Sequence, residues 1–207
     1  MPVAELPPNK HQERSQRTRG LLLDATIESL AEVGYANAST GDISGRAGVT
    51  RGAFLHHFHT RTELFAQAIE HLATRQRAAA QQVAEAVSAT TRPADILVDL
   101  IAATFAGELG SASVELFVAI RHDQEQAERM LRVQRDLARE VLEQAIALIG
   151  PEIPADNVEH AFWMTINFVR GTIVDDMLGR NPQRRKQMLE HWRTLAAVAL
   201  TEAAGRD

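Results

Sequence analysis

The chain has 207 residues, 45% hydrophobic and 24% charged, the balance of a globular protein long enough to bury a core as one large domain or two small ones. It contains no cysteine, which removes disulfide frameworks, thiol nucleophiles and cysteine-ligated metal centres together. Its net charge of −5 argues at first against a nucleic-acid partner.

Residues 1–13, rich in proline, read as a disordered arm. From about Arg14 to Val33 the pattern is helical, with Leu23, Ile27 and Leu30 on one face and Gly34 as a stop. Ser39 caps a short helix that ends near Gly48, and Asp42 three residues on suggests a weak capping box. Thr50 caps a second short helix that reaches Phe58. A longer helix begins at Arg61, and Pro93 starts another that runs to about Phe105. A break over Gly107–Gly110 precedes a helix from Ser111 to Arg121. Leu137, Val141, Ala145 and Leu148 mark a long helix closed by Gly150-Pro151. Phe162 to Ile173 and Met188 to Ala199 mark the last two. No segment alternates with period two, so the expectation is an all-α fold of about nine helices.

The informative stretch is Ser39–Arg61. Two short helices around Ala47-Gly48-Val49 fit a helix-turn-helix, whose second helix enters the DNA major groove. An ordinary core hairpin has no need for the polar and small residues Thr50-Arg51-Gly52-Ala53 at the start of its second helix, whereas a helix whose end meets base edges does. The acidic total is no objection. Residues 1–63 hold seven Lys/Arg against seven Asp/Glu, so the rest of the chain carries the whole deficit. Lys10, Arg14, Arg17 and Arg19 also cluster, and a local basic surface is what displaces counterions.

Leu22, Gly34-Tyr35, Asp42-Ile43, Arg46 to Gly52, His56-His57-Phe58 and Glu63-Leu64-Phe65, with their spacing, resemble the signature of the TetR family of transcriptional regulators. The resemblance implies a three-helix reader over residues 14–63 and a helical ligand-sensing and dimerisation domain over 64–207. It implies a homodimer, most often a repressor, on a palindromic double-stranded DNA operator, released by a partly apolar small-molecule effector. Carried over by position, Ser39 and Thr40 hold a phosphate, while Thr50 opens the reading helix. Arg51, Gly52 and Ala53 meet bases, with Arg51 either bonding a guanine edge or clamping a phosphate. His56, His57 and Arg61 meet the backbone. Leu55 departs from the pattern, which has a tyrosine that donates to phosphate; either a contact is lost or His56 and His57 compensate.

In the second domain an effector pocket would draw on Phe105, Phe117, Met130, Trp163 and Asn167, with His122, His160 or Arg170 as polar contacts. A dimer face would draw on Phe162, Ile166, Val169 and Ile173 of one helix and Met188, Trp192, Leu195 and Ala199 of the next. Any of these residues serves equally as intramolecular core or surface. No cofactor and no catalytic residues are expected: the chain has no phosphate loop, nucleophile elbow or His-Glu-x-x-His helix. His56, His57 and His59 lack a carboxylate at helical spacing, so no metal site is expected. No apolar stretch approaches the ~20 residues of a membrane span, and the start lacks a secretory apolar segment, so a cytoplasmic protein without a membrane partner is expected. The rival reading is an all-helical ligand-binding or scaffold protein with weak or lost DNA binding.

Overall fold

The computed structural model describes residues 10–179 and 181–201, and among them the chain forms nine α-helices and no strand. The helices are α1 (Lys10–Asn37), α2 (Thr40–Arg46), α3 (Arg51–His57), α4 (Arg61–Ala86), α5 (Pro93–Thr104), α6 (Glu108–Ile120), α7 (Gln124–Ile149), α8 (Ala155–Leu178) and α9 (Pro182–Thr201). The all-α expectation therefore holds. Helix α1 begins four residues earlier than its apolar pattern, so residues 10–13 are helical and not part of an arm; residues 1–9 lie outside the described part. The first residues of α1 are polar in sequence, which removes the periodicity that would have marked them.

Helix starts follow the side chains able to satisfy free backbone N–H groups. Ser39 Oγ accepts from Asp42 N at 3.1 Å, Thr50 Oγ1 from Ala53 N at 3.3 Å, and Thr60 Oγ1 from Glu63 N at 3.0 Å. Asp42 does not complete a capping box. Its carboxylate accepts from Ser29 Oγ and from Arg46 Nε, both at 2.8 Å, and so ties α2 to α1. Glycines mark two breaks by different means. Gly34, at φ 74° and ψ 167°, turns the chain within α1, a conformation reserved for glycine. Gly107, at φ 57°, makes the break before α6. Gly110 lies inside α6 and not in the break: a Cβ there would stand 2.5 Å from the Phe105 carbonyl and 2.8 Å from Ile173 Cδ1.

One continuous core runs from Leu22 in α1 to Leu200 in α9. Helix α4 carries it from the first three helices into the rest, with Leu64, Phe65, Ile69 and Leu72 buried, followed by Gln76 and Ala80. Gln76 is a fully buried polar residue at the centre of the second part. Its Nε2 donates to Thr104 O at 2.9 Å and to Ser113 Oγ at 3.2 Å, and its Oε1 accepts from Gln134 at 3.4 Å. Four helices are thereby pinned by one satisfied amide, which is the condition for burying it. Helix α1 lies along α6. Where they meet, Glu115 Oε2 accepts the Tyr35 N–H at 3.0 Å.

Candidate functional site

Helix α3 is fixed from behind and free in front. Phe54 and Phe58 are buried, with ring centroids 5.9 Å apart, and Ala47 and Val49 of the preceding turn pack on the same core. Arg51, Gly52, Leu55 and His56 are exposed on the other side, and Ala53 is half-buried. A helix held this way presents its first turn to solvent as a rigid edge, which is the geometry a major-groove reader requires. Arg51 has no ion pair among the described residues, so its guanidinium is available to an external acceptor. Ser39 and Thr40 stand at the start of α2, and Thr50 at the start of α3; the Ser39 and Thr50 side chains already cap their helices.

The histidines differ among themselves. His56 is exposed and meets the half-buried His57 edge-on at 5.2 Å. Burial, then the charges of His56 and Arg19, holds His57 below the ordinary imidazole range. His59 turns away, and contrary to the expectation a carboxylate does stand at helical spacing from it: Glu63, four residues on, accepts the His59 backbone N–H at 2.9 Å and lies 3.4 Å from its Nδ1.

Arg61 is placed differently from its expected role on the DNA backbone. Its Nε donates to Ala38 O at 3.3 Å and its second terminal nitrogen to Tyr35 O. Its guanidinium carbon lies 4.4 Å from the Tyr35 ring centroid and 4.7 Å from that of Phe65. Arg61 is a brace that holds the end of α1 and the entry to α2 against α4. The reason is chemical: a planar cation on a long stem satisfies carbonyls left free at a glycine break and stacks on two aromatic faces at once. Arg46 is occupied too, by Asp42 at 2.8 Å and Glu32 at 2.7 Å.

A second site lies in the other half of the molecule. A cavity of about 190 Å³ opens between α5, α6, α7 and α8. Phe105, Phe117, Trp163 and Arg170 line it, so four of the expected pocket residues converge. The others do not. Met130 is core, 2% exposed, while His122, Asn167 and His160 are exposed and point elsewhere. Two residues assigned to a dimer face, Phe162 and Ile166, are buried and line the cavity instead, and Val169 and Ile173 are buried core. Their helical spacing marked a buried stripe, and spacing alone does not say which neighbour covers it. Trp192 stacks on Phe168 at 4.4 Å and donates to Thr165 Oγ1 at 3.0 Å, so it joins α9 to α8 within one chain. Met188 and Ala199 are half-buried, and Leu195 is 58% exposed. Sequence reasoning missed the α7 wall, in which Leu131, Gln134, Arg135 and Ala138 recur at i, i+3, i+4 and i+7. The mixed polarity of that face hid a pattern whose period was present.

Arg170 is the exceptional group in this cavity. Its Nε is inaccessible and without a partner among the described residues. Its guanidinium carbon lies 5.4 Å from the Phe105 ring centroid and 5.2 Å from that of Phe117. Burial alone pushes its basicity below the ordinary arginine value.

An exposed, backed reading helix joined through one core to a helical domain that holds a cavity defines a DNA reader of the helix-turn-helix class. Residues 22–68 match the model for bacterial regulatory proteins of the tetR family. The chain is 32% identical to the HTH-type transcriptional regulator CymR of Pseudomonas putida over 182 residues, 83% of this chain and 85% of CymR. The chain belongs to the TetR family of transcriptional regulators, and it is a regulator and not an enzyme. Its fold is similar to that of a Rhodococcus transcriptional regulator, with a TM-score of 0.66 and 20% identity, over 88% of this chain and 95% of that one. It is likewise similar to LfrR from Mycobacterium smegmatis in complex with proflavine, with a TM-score of 0.57 and 20% identity, over 92% and 99% of the two chains.

Proposed function

We propose that the protein is a ligand-responsive repressor that binds a palindromic operator as a homodimer in the cytoplasm and is released by a small molecule entering the α5–α8 cavity. The observation that carries this reading is the free edge of α3, with Arg51, Gly52 and His56 exposed and Phe54 and Phe58 locked behind them. Ser39, Thr40, Thr50, Ala53 and His57 flank that edge as phosphate or base contacts. The reader spans residues 14–63 and the sensing domain 64–207, sharing α4 at their junction. A single reading helix addresses too few bases for useful specificity, which favours a two-fold dimer. The surface best suited to it is the outer side of α8 and α9, where Met164, Val174, Leu178, Leu195 and Val198 are exposed.

Release has a material path. Phe117 walls the cavity, and two residues earlier on the same helix Glu115 receives the Tyr35 N–H. A ligand that displaces α6 shifts the end of α1, which Arg61 ties to the entry of α2.

The test is fluorescence anisotropy with DNA from the region upstream of the protein's own gene. Arg51→Ala should cost about 1–3 kcal/mol on the preferred sequence and narrow the gap to random DNA if Arg51 reads a base. Equal weakening on all DNA would make Arg51 a phosphate clamp. A complete lack of salt-sensitive binding would favour the second reading, a helical ligand-binding protein with lost DNA affinity, to which the exposed Leu55 gives some support.

A further inference from the structure

From the walls of the α5–α8 cavity we infer that the effector is a small apolar acid, bound as its carboxylate with Arg170 as the counter-ion. The inference rests on the proposal that this cavity is the effector site and adds the ligand's chemical class. The cavity is apolar on most sides; among the described residues its only charged walls are Arg135 and Arg170, and no Asp or Glu faces it. Glu159, the nearest acid by sequence to the mouth residue Trp163, accepts that indole N–H at 3.4 Å and does not line the space.

Arg170 is unlike the other half-buried arginines whose Nε is inaccessible. Arg129 and Arg185 also have an Nε without a partner, yet each reaches a carboxylate through another nitrogen, Glu70 at 3.7 Å and Asp176 at 3.2 Å. Arg170 has no ion pair or hydrogen bond among the described residues, only the ring faces of Phe105 and Phe117. A guanidinium keeps its proton under all ordinary conditions, so this site cannot discharge itself as a buried lysine would. A cation without a partner from the protein, held against two aromatic rings at the wall of an apolar cavity, suits an anion supplied by a ligand. A carboxylate matches the fork of the guanidinium bidentately, while the apolar walls accept the remainder of the molecule. Size narrows the class further. A volume of about 190 Å³ is well below the ~300–1,000 Å³ typical of drug-sized ligands. The occupant is a one-ring or short-chain acid. The same charge rejects organic cations, because no acid in the wall would pair with them.

The experiment is calorimetric titration of the full-length protein with phenylacetate, hexanoate and octanoate, with the primary amide of each, and with hexylamine. The expected result is that at least one acid binds about tenfold or more tightly than its amide, which corresponds to ~1.4 kcal/mol. Hexylamine should not bind. Arg170→Gln should bring that acid to the affinity of its amide and leave the amide unchanged, and Arg170→Lys should restore part of the preference. Ala138→Phe, which fills the cavity from its α7 wall and leaves Arg170 untouched, should remove acid and amide binding alike. Failure of all three acids to bind, equal affinity for acids and amides, or a preference that survives Arg170→Gln overturns the inference. Anisotropy on operator DNA in the same samples separates the two claims. DNA binding without acid binding rejects the acid and keeps the regulator. Acid binding that leaves DNA affinity untouched keeps the ligand class and rejects the cavity as the effector site.

Discussion

Gly34 gives the sharpest test of how the reader is attached. Gly34→Ala imposes two separable costs. The first is local: φ 74° with ψ 167° lies in a region open essentially to glycine, and a side chain held there costs about 1–3 kcal/mol. The second is a contact. The new Cβ would stand 3.0 Å from Glu115 Oε2, the oxygen that accepts the Tyr35 N–H at 3.0 Å. Moving that carboxylate weakens a charge-assisted bond, for a further ~1 kcal/mol. The sum is about 2–4 kcal/mol, which at a urea slope of roughly 2–3 kcal/mol per molar moves the unfolding midpoint by about 1 M. Urea titration followed by circular dichroism at one fixed protein concentration measures it, because association would otherwise shift the midpoint. A double-mutant cycle with Glu115→Ala separates the terms. The double variant should lose less than the two single losses combined, since the added methyl no longer meets a carboxylate, while the backbone cost remains. A loss below about 0.5 kcal/mol for Gly34→Ala would refute the reasoning, because it would show that the glycine conformation is not required.

Three further outcomes follow from the same geometry. Arg61→Ala should destabilise the protein by about 2 kcal/mol through two lost carbonyl contacts and two ring faces, and Arg61→Lys should not restore it. DNA affinity should fall with it, but the slope of log affinity against log salt should stay as in the parent; a slope reduced by about one would show instead a phosphate contact. Leu55→Tyr adds a hydroxyl to an exposed position of the reading helix and should tighten operator binding up to about tenfold if a phosphate lies within reach; no change would place Leu55 away from the DNA backbone. His57 is held below its ordinary value of 6.5, so in acid the unfolded chain binds more protons than the folded one. Its contribution is therefore complete above about pH 6.5 and is lost as the pH falls, and His57→Gln should lose less melting temperature than the parent between about pH 7.5 and 5.5.

Most of the fold is legible in the sequence because its signals are local. Capping residues such as Ser39 and Thr50, the break at Gly150 and the apolar spacing of α7 each act within a few residues. The reading helix is legible for the same reason. What spacing cannot carry is the identity of the neighbour. Val169 and Ile173 share a stripe whether a second copy or α5 and α6 cover it, and Arg61 looks like a phosphate ligand until the carbonyls of Tyr35 and Ala38 are seen in front of it. The cavity is the extreme case. Ile101, Phe117, Leu131 and Arg170 stand on four helices, and no local pattern connects them.

Arginine placement explains how an acidic chain can read DNA. Arg46 and Arg61 are consumed by the reader's own architecture, one by Asp42 and Glu32, the other by two carbonyls and two rings. Arg19 bonds Gln67 at 3.0 Å. Among the described residues, the arginines of the reader left without an ion pair or a side-chain hydrogen bond are exposed Arg14 and Arg17 on α1 and Arg51 on α3. Few free cations per chain mean few phosphates neutralised, hence a modest salt-dependent component of affinity. In the proposed dimer, specific binding draws on base contacts along α3 and on the joining of two readers, so geometry between the readers matters more than charge. In the proposed release, a shift of α6 transmitted through Glu115 to Tyr35 need only misalign the two readers, without lifting either from a strong electrostatic hold.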